Sequence, residues 1–233
     1  MSTMRGARER ARIEVTAAIK DEARRMLGAE GAAKLSLRAV ARELGMVSSA
    51  LYRYFPSRDD LLTALIVDAY DSIGAAAEQA DARAVAPGGG PRARWMAVCG
   101  AVREWALEHP HEYALIYGSP VPGYSAPQDT VGPASRVANT LIGILRAAYE
   151  GRGLALPPLP AALRPEAVRM TADFARGLPP EVTAALVASW AQLVGLVSFE
   201  LFGQFNRVVE DREAFFAHAA DQLAHAVGLS GPA

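Results

Sequence analysis

The chain has 233 residues, 51% hydrophobic and 21% charged, with a formal net charge of −1. That length allows a sizeable core, the composition excludes a disordered or collagen-like chain, and the single cysteine, Cys99, excludes an internal disulfide. The charge is unevenly spread: residues 1–58 carry 12 Lys+Arg against 6 Asp+Glu and the other 175 carry 12 against 19, a basic head on an acidic body that suits one end on a polyanion.

Arg5, Arg8, Arg10 and Arg12 open the chain with no apolar stretch after them, so no signal peptide is expected. Nothing reads as a strand, and the apolar spacings are helical, which predicts an all-α fold of nine or ten helices. The first helix is predicted from Arg8 to Glu30, with Val15, Ile19, Ala23 and Met26/Leu27 on one face and Gly31 ending it. Ser36 is placed to cap a short second helix carrying Leu37, Val40, Ala41 and Leu44, and Gly45 suits a turn needing positive φ. A third helix is predicted from Ser48 to Phe55, where Pro56 stops it. Ser57 opens a fourth, with Asp60 in capping-box spacing, which runs through Leu61, Leu62, Leu65, Ile66 and Ala69 to about Glu78 or beyond.

The run Pro87-Gly88-Gly89-Gly90-Pro91 reads as a linker, and Gly118–Pro133 and Gly151–Pro165 as further breaks. Helices are expected over Arg92–His109, His111–Tyr117, Ala134–Glu150, Glu166–Ala175, Glu181–Asn206 and Asp211–Val227. Val182 to Phe199 has 18 residues without a charge, the lower limit for a membrane span. It holds Thr183, Ser189, Gln192 and Ser198, lies between Glu181 and Glu200, and lacks a basic flank. It is therefore read as a buried helix, with no membrane partner.

Two short helices joined by a glycine turn form a helix-turn-helix pattern. Steps of about 100° per residue bring Leu51 and Phe55 together as anchors of the third helix. They leave Ser49, Ala50 and Arg53 opposite, beside Ser48 and flanked by Tyr52 and Tyr54. Small and polar residues around an arginine suit a helix in a major groove, where arginine bonds guanine bidentately. Tyr52, Tyr54, Ser36, Arg38 and Arg58 are candidate phosphate contacts. Alternatives stay open: the tyrosines as core aromatics with wet hydroxyls, Arg58 as a solvated charge, Ser36 as a helix cap.

The runs Ser36-Leu37-Arg38-Ala39-Val40-Ala41-Arg42-Glu43-Leu44-Gly45 and Ala50-Leu51-Tyr52-Arg53-Tyr54-Phe55-Pro56-Ser57-Arg58 resemble the TetR/AcrR family of bacterial regulators, over about Arg8 to Ile73. The resemblance implies a DNA-binding domain at 1–58 and a ligand-binding and dimerisation domain at 59–233. It implies a homodimer on a palindromic operator, most often a repressor released by a small ligand, working in the cytoplasm. That family often has a capping serine near position 47, where this chain has Val47 followed by Ser48 and Ser49, so the start of the recognition helix is open by about one position. Trp190 to Gly203 is similar to a subgroup with a Trp-x-x-x-His-Gly signature, with Val194 where the histidine stands. The last two helices are implied as the dimer interface, with Trp190, Val194, Val197, Leu201, Phe215 and Leu223 as candidates.

Trp95, Trp105, Tyr113, Tyr117, Leu141, Leu145 and Phe174 are candidates to line an effector pocket, or else ordinary core; the effector is expected to be apolar or amphipathic. His109-Pro110-His111-Glu112 reads as a helix break. His218 and His225 are seven apart and lack the spacing of helical zinc pairs, so neither metal nor cofactor is expected. There is no nucleophile elbow and no phosphate-cradling glycine loop, so no enzyme is expected. Two other functions compete: a ligand-sequestering or protein-interaction module with a vestigial head, and a transcriptional activator.

Overall fold

The computed structural model describes residues 2–85 and 89–229, with side chains from residue 6 onward. Pro87 and Gly88 of the expected linker lie outside the described residues, as does the side chain of Arg5. Among the described residues there are eleven α-helices and no strand. They form two compact units, one holding residues up to Tyr70 together with His109–Val131, the other Asp71–Glu108 and the chain from Gly132.

In the first unit, α1 (Ser2–Glu30) ends at Gly31, whose φ of 79° only glycine adopts without strain. A 3-10 turn (Ala32–Lys34) leads to α2 (Leu37–Glu43), α3 (Ser48–Leu51) and the start of α4 (Arg58–Val85). Ile19, Ala23, Met26 and Leu27 of α1 pack with Leu35, Leu37, Val40, Ala41, Leu51, Phe55, Leu61, Leu62 and Leu65 in one core, as the helical spacing predicted. Helix α6 (Pro110–Tyr117) completes the unit. Pro110 at its first position confirms the break expected there. Arg24 ties three helices together, reaching Asp68 of α4 at 2.7 Å and Glu112 of α6 at 3.1 Å. The His111 ring lies so close to Gly28 that a Cβ there would meet it at 2.9 Å.

The second unit begins inside α4, so the compact division does not fall at residue 58. The α4 residues up to Tyr70 pack on the head core, and α6 returns to it. This unit holds α5 (Pro91–Glu108), α8 (Arg136–Glu150), α9 (Arg164–Phe174), α10 (Pro180–Leu201) and α11 (Arg212–Ala226), preceded by the four-residue α7 (Val131–Ala134) at the boundary. The helix expected over Ala134–Glu150 is α8, which begins at Arg136; the hydroxyl of Ser135 before it bonds the Gly132 carbonyl instead of capping α8, and α7 lies almost wholly in the expected break. Helix α10 stops at Leu201, five residues before the expected Asn206, because the chain turns through Gly203 at φ 83°.

Helix α10 is the one described helix long and apolar enough to cross a membrane. It packs on α5, α9 and α11 instead. Its Glu200 is buried in a two-pronged pair with Arg103, both contacts 2.7 Å, and the Arg103 guanidinium also lies over the Phe216 ring.

Candidate nucleic-acid interface

Helix α3 is too short to persist alone, and packing holds it from behind. Leu51 is fully buried and Phe55 nearly so, both in the head core, as expected. The approach from α2 is a tight turn through Gly45, φ 64°, with the Met46 amide bonded to the Ala41 carbonyl at 2.8 Å. The regular helix is only Ser48–Leu51, shorter than the expected Ser48–Phe55. It continues as tightened turns in which the Arg53 and Tyr54 amides bond three residues back rather than four.

Neither serine caps α3. Val47 holds the N-cap position in extended conformation, and Ser48 and Ser49 are the first two helical residues. Ser36 holds the N-cap position of α2, yet its hydroxyl makes no cap bond. Ser57 does cap α4 as predicted: it accepts from the Asp60 amide at 3.1 Å and donates to the Asp60 carboxylate at 2.7 Å.

Of the residues expected to meet DNA, Arg38, Ser49, Tyr52 and Arg53 are exposed, and Ser36, Ser48, Ala50 and Tyr54 are half-buried. Tyr54 leans on the head core, whereas Tyr52 is 41% exposed. Arg58 is neither a solvated charge nor a presented phosphate ligand. Its Nε donates to the Leu35 carbonyl at 3.0 Å and its Nη2 to the Ala32 carbonyl at 2.8 Å, closing the end of the 3-10 turn. Spacing did not single out Val47, which is 70% exposed. A helical wheel puts it beside Leu51, but its extended backbone takes it off that wheel.

Charge pairing separates the cations of this unit into two groups. Lys20, Arg24, Arg25, Arg42 and Arg58 each meet a carboxylate of the unit. Arg8, Arg10, Arg12, Lys34, Arg38 and Arg53 are exposed and make no ion pair among the described residues. The uncancelled cations include Arg38 on α2 and Arg53 in the turns that follow α3.

The expected effector residues are divided between the two units. Trp95, Trp105, Leu141 and Leu145 are core of the second unit, Tyr113 and Tyr117 belong to the first, and Phe174 is 46% exposed on α9. None lines the cavity of about 550 Å³ in the first unit, between Gly28, Ala32, His111 and Val121. Nor does any line the groove of about 480 Å³ between α10 and α11. Trp95 Nε1 and Ser189 Oγ are buried with no hydrogen-bond partner among the described residues.

Among the dimer candidates, Val197 and Leu223 are buried within the chain's own core, and Leu223 also lines the groove between α10 and α11. Trp190, Val194 and Leu201 are half-buried, and Phe215 is 41% exposed. Val187 and Phe199 of α10 are also exposed, and Phe199, Phe205 and the candidate Phe215 stack edge to face along the groove.

Comparison with known proteins places these features in context. The family model for bacterial regulatory proteins of the tetR family matches residues 19–65, and the model for the tetracyclin repressor-like C-terminal domain matches residues 95–223. HTH-type transcriptional regulators of Mycobacterium tuberculosis and Mycobacterium bovis are each 41% identical over 206 residues, covering 86% of both chains. A solved structure described as a regulatory-protein candidate, SCO4313, superposes with a TM-score of 0.77 at 33% identity, covering 93% of this chain and 98% of that one.

Proposed function

The chain belongs to the TetR family of DNA-binding transcriptional regulators, and from that premise we propose that it is a repressor: a homodimer that grips a palindromic operator and releases it when a small apolar or amphipathic ligand binds. Residues 1–58 act as the DNA-binding domain and 59–233 as the ligand-binding and dimerisation domain. The observation that carries this reading is the set of uncancelled cations beside a braced α3. Arg53 reads a base edge, with Ser48, Ser49 and Ala50 small enough for close approach. Arg38, Tyr52, Tyr54 and Ser36 hold phosphates and fix register. Val47, apolar and exposed at the start of α3, suits a thymine methyl.

Release works by population shift: a ligand that prefers a body conformation incompatible with DNA lowers operator affinity, and DNA lowers ligand affinity by the same factor. Helix α4, with residues in both compact units, is the coupling element. The α10–α11 groove supports dimerisation. Catalysis has no support: burial pushes the Cys99 thiol up to about 12, so it is no nucleophile. A chain that works on DNA belongs in the cytoplasm.

The test is to sequence duplexes that the purified protein retains from a random pool. A palindrome whose half-sites lie roughly 34–36 Å apart is expected. A pool with no enriched sequence sinks the reading and favours a ligand-sequestering module.

A further inference from the structure

The opening turns of α1 stand apart from the head they belong to. Residues 7–14 are all exposed, Ile13 at 61%, and among the described side chains the first buried one is Ile19. Thirteen residues of helix therefore precede Val15, an overhang of about 20 Å at 1.5 Å per residue. A helix segment without core contacts is costly to keep ordered unless something lies against it.

The register of that overhang is informative. Taking Ile19 as zero and about 100° per residue, Val15, Ala23 and Met26 fall within about 40° of it and form the line by which α1 packs on the head. Arg12 and Arg8 fall within about 20° of the same line. Arg10 falls on the opposite side, and Glu9 and Glu14 lie off the line, by about 80° and 140°. One face of α1 is thus apolar where the head lies beneath it, and changes to two guanidinium groups one turn apart where the head ends. Neither group is claimed by a carboxylate among the described residues, whereas further along α1 Lys20 pairs with Asp68, and Arg24 with Asp68, Asp21 and Glu112. A surface meeting this stripe must be anionic, repeat on the scale of one helical turn, and continue past the edge of the head. The sugar-phosphate backbone of a duplex has all three properties.

We propose that the α1 overhang lies along the phosphate backbone of DNA flanking the half-site read by α3, with Arg8 and Arg12 on phosphates and Arg10 facing solvent. This rests on the function proposed above and extends it: the gripped duplex is longer than the one that is read. The contacts lie outside the sequence-reading surface, so they raise affinity for every duplex alike and leave the choice among duplexes unchanged.

The test uses the full-length protein and its selected operator. Log affinity is measured against log salt for wild type, for the double variant Arg8→Ala/Arg12→Ala and for Arg10→Ala, with hydroxyl-radical footprints of each. With about 0.9 units of slope per phosphate contact, the double variant in a dimer is expected to lose about 3–4 units and the protections outside both half-sites. Its ratio of operator to scrambled affinity should stay unchanged, and Arg10→Ala should keep slope and footprint. An unchanged slope in the double variant overturns the proposal, as does an equal loss per charge from Arg10→Ala. If wild type selects a sequence and Arg53→Ala relaxes it while the flanking protections survive the double variant, the overhang fails and the repressor reading stands. A wild type that selects no duplex removes both.

Discussion

The Arg58 guanidinium holds the Leu35 carbonyl at 3.0 Å, and Arg58 stands 23 residues after Leu35 in the chain. Its other arm takes the Ala32 carbonyl, so one side chain from the start of α4 closes the link between α1 and α2. Hydrogen bonds from a charged donor are worth about 1.5–3 kcal/mol, and a lysine cannot reproduce the fork. Arg58→Ala should lower unfolding stability by about that amount, Arg58→Lys by somewhat less, with sequence preference kept in the folded fraction. Urea unfolding beside operator titration checks this. Unaltered stability with uniformly weaker DNA binding would return Arg58 to the phosphate contacts.

Arg53 is exposed and unclaimed by any carboxylate among the described residues, and Leu51 and Phe55 fix the turn it stands on. Arg53→Ala should therefore cost about 1–3 kcal/mol against the preferred operator and flatten preference at one position per half-site. Competition between operator and single-base variants measures it. A variant that discriminates as wild type does would assign base reading elsewhere on α3.

Val47 makes a different kind of contact. If its exposed methyls meet a thymine, replacing that thymine by deoxyuridine removes one methyl and nothing else. Affinity should fall about threefold to fivefold, in line with roughly 0.8 kcal/mol per buried carbon. The Val47→Ala variant should be much less sensitive to the replacement. Equal sensitivity in wild type and variant would show that Val47 meets no thymine.

Much of this was legible before the structure, where the physics is local. Gly31 and Gly45 take positive φ, Ser57 and Asp60 form the predicted cap, and Leu51 and Phe55 are core, each set by residues within about a turn. Long-range partners were not legible. Nothing near Arg58 signals that carbonyls more than twenty residues back will claim it. Helix α10 is apolar around its circumference, so spacing alone could not tell buried Val197 from exposed Phe199. An effector cavity was not legible for a related reason: it depends on how distant helices pack, and aromatic spacing records only that they pack.

Within the second unit, Arg136 of α8 grips the α4 segment, meeting Glu78 at 2.6 Å and Asp71 at 2.8 Å across Gly74, where a Cβ would come within 2.7 Å of the arginine's own. The arginine holds the Glu78 carboxyl below its ordinary 4.5, chiefly through their hydrogen bonds. A depressed carboxyl stabilises the fold above its unfolded value, and the contribution vanishes as pH falls through the folded one. Glu78 is 46% exposed, so solvent screening limits the effect to about 1 kcal/mol or less. Glu78→Gln should be less stable than wild type at about pH 7, with the gap closing as pH falls through the lowered carboxyl value. A gap of equal size at both ends would mean the charge plays no part.

Phe199, Phe205 and Phe215 line a groove on the face of α10 and α11, with successive ring centroids 5.7 and 5.5 Å apart. Phe199 is 50% and Phe215 41% exposed, an arrangement that leaves large apolar area in water unless a second copy covers it. A twofold interface uses each substitution twice, so a carboxylate at Phe199 would bury two unpaired charges near one axis. Phe199→Glu should convert the dimer to monomer in sedimentation experiments at micromolar concentration, with helical content retained. Val197→Ala, inside the core, should lower the melting temperature and leave the chain dimeric, because the methyls it removes face its own helices. If Phe199→Glu stayed dimeric while folded, the copies would meet elsewhere, and the spacing of the two heads on the operator would need another basis.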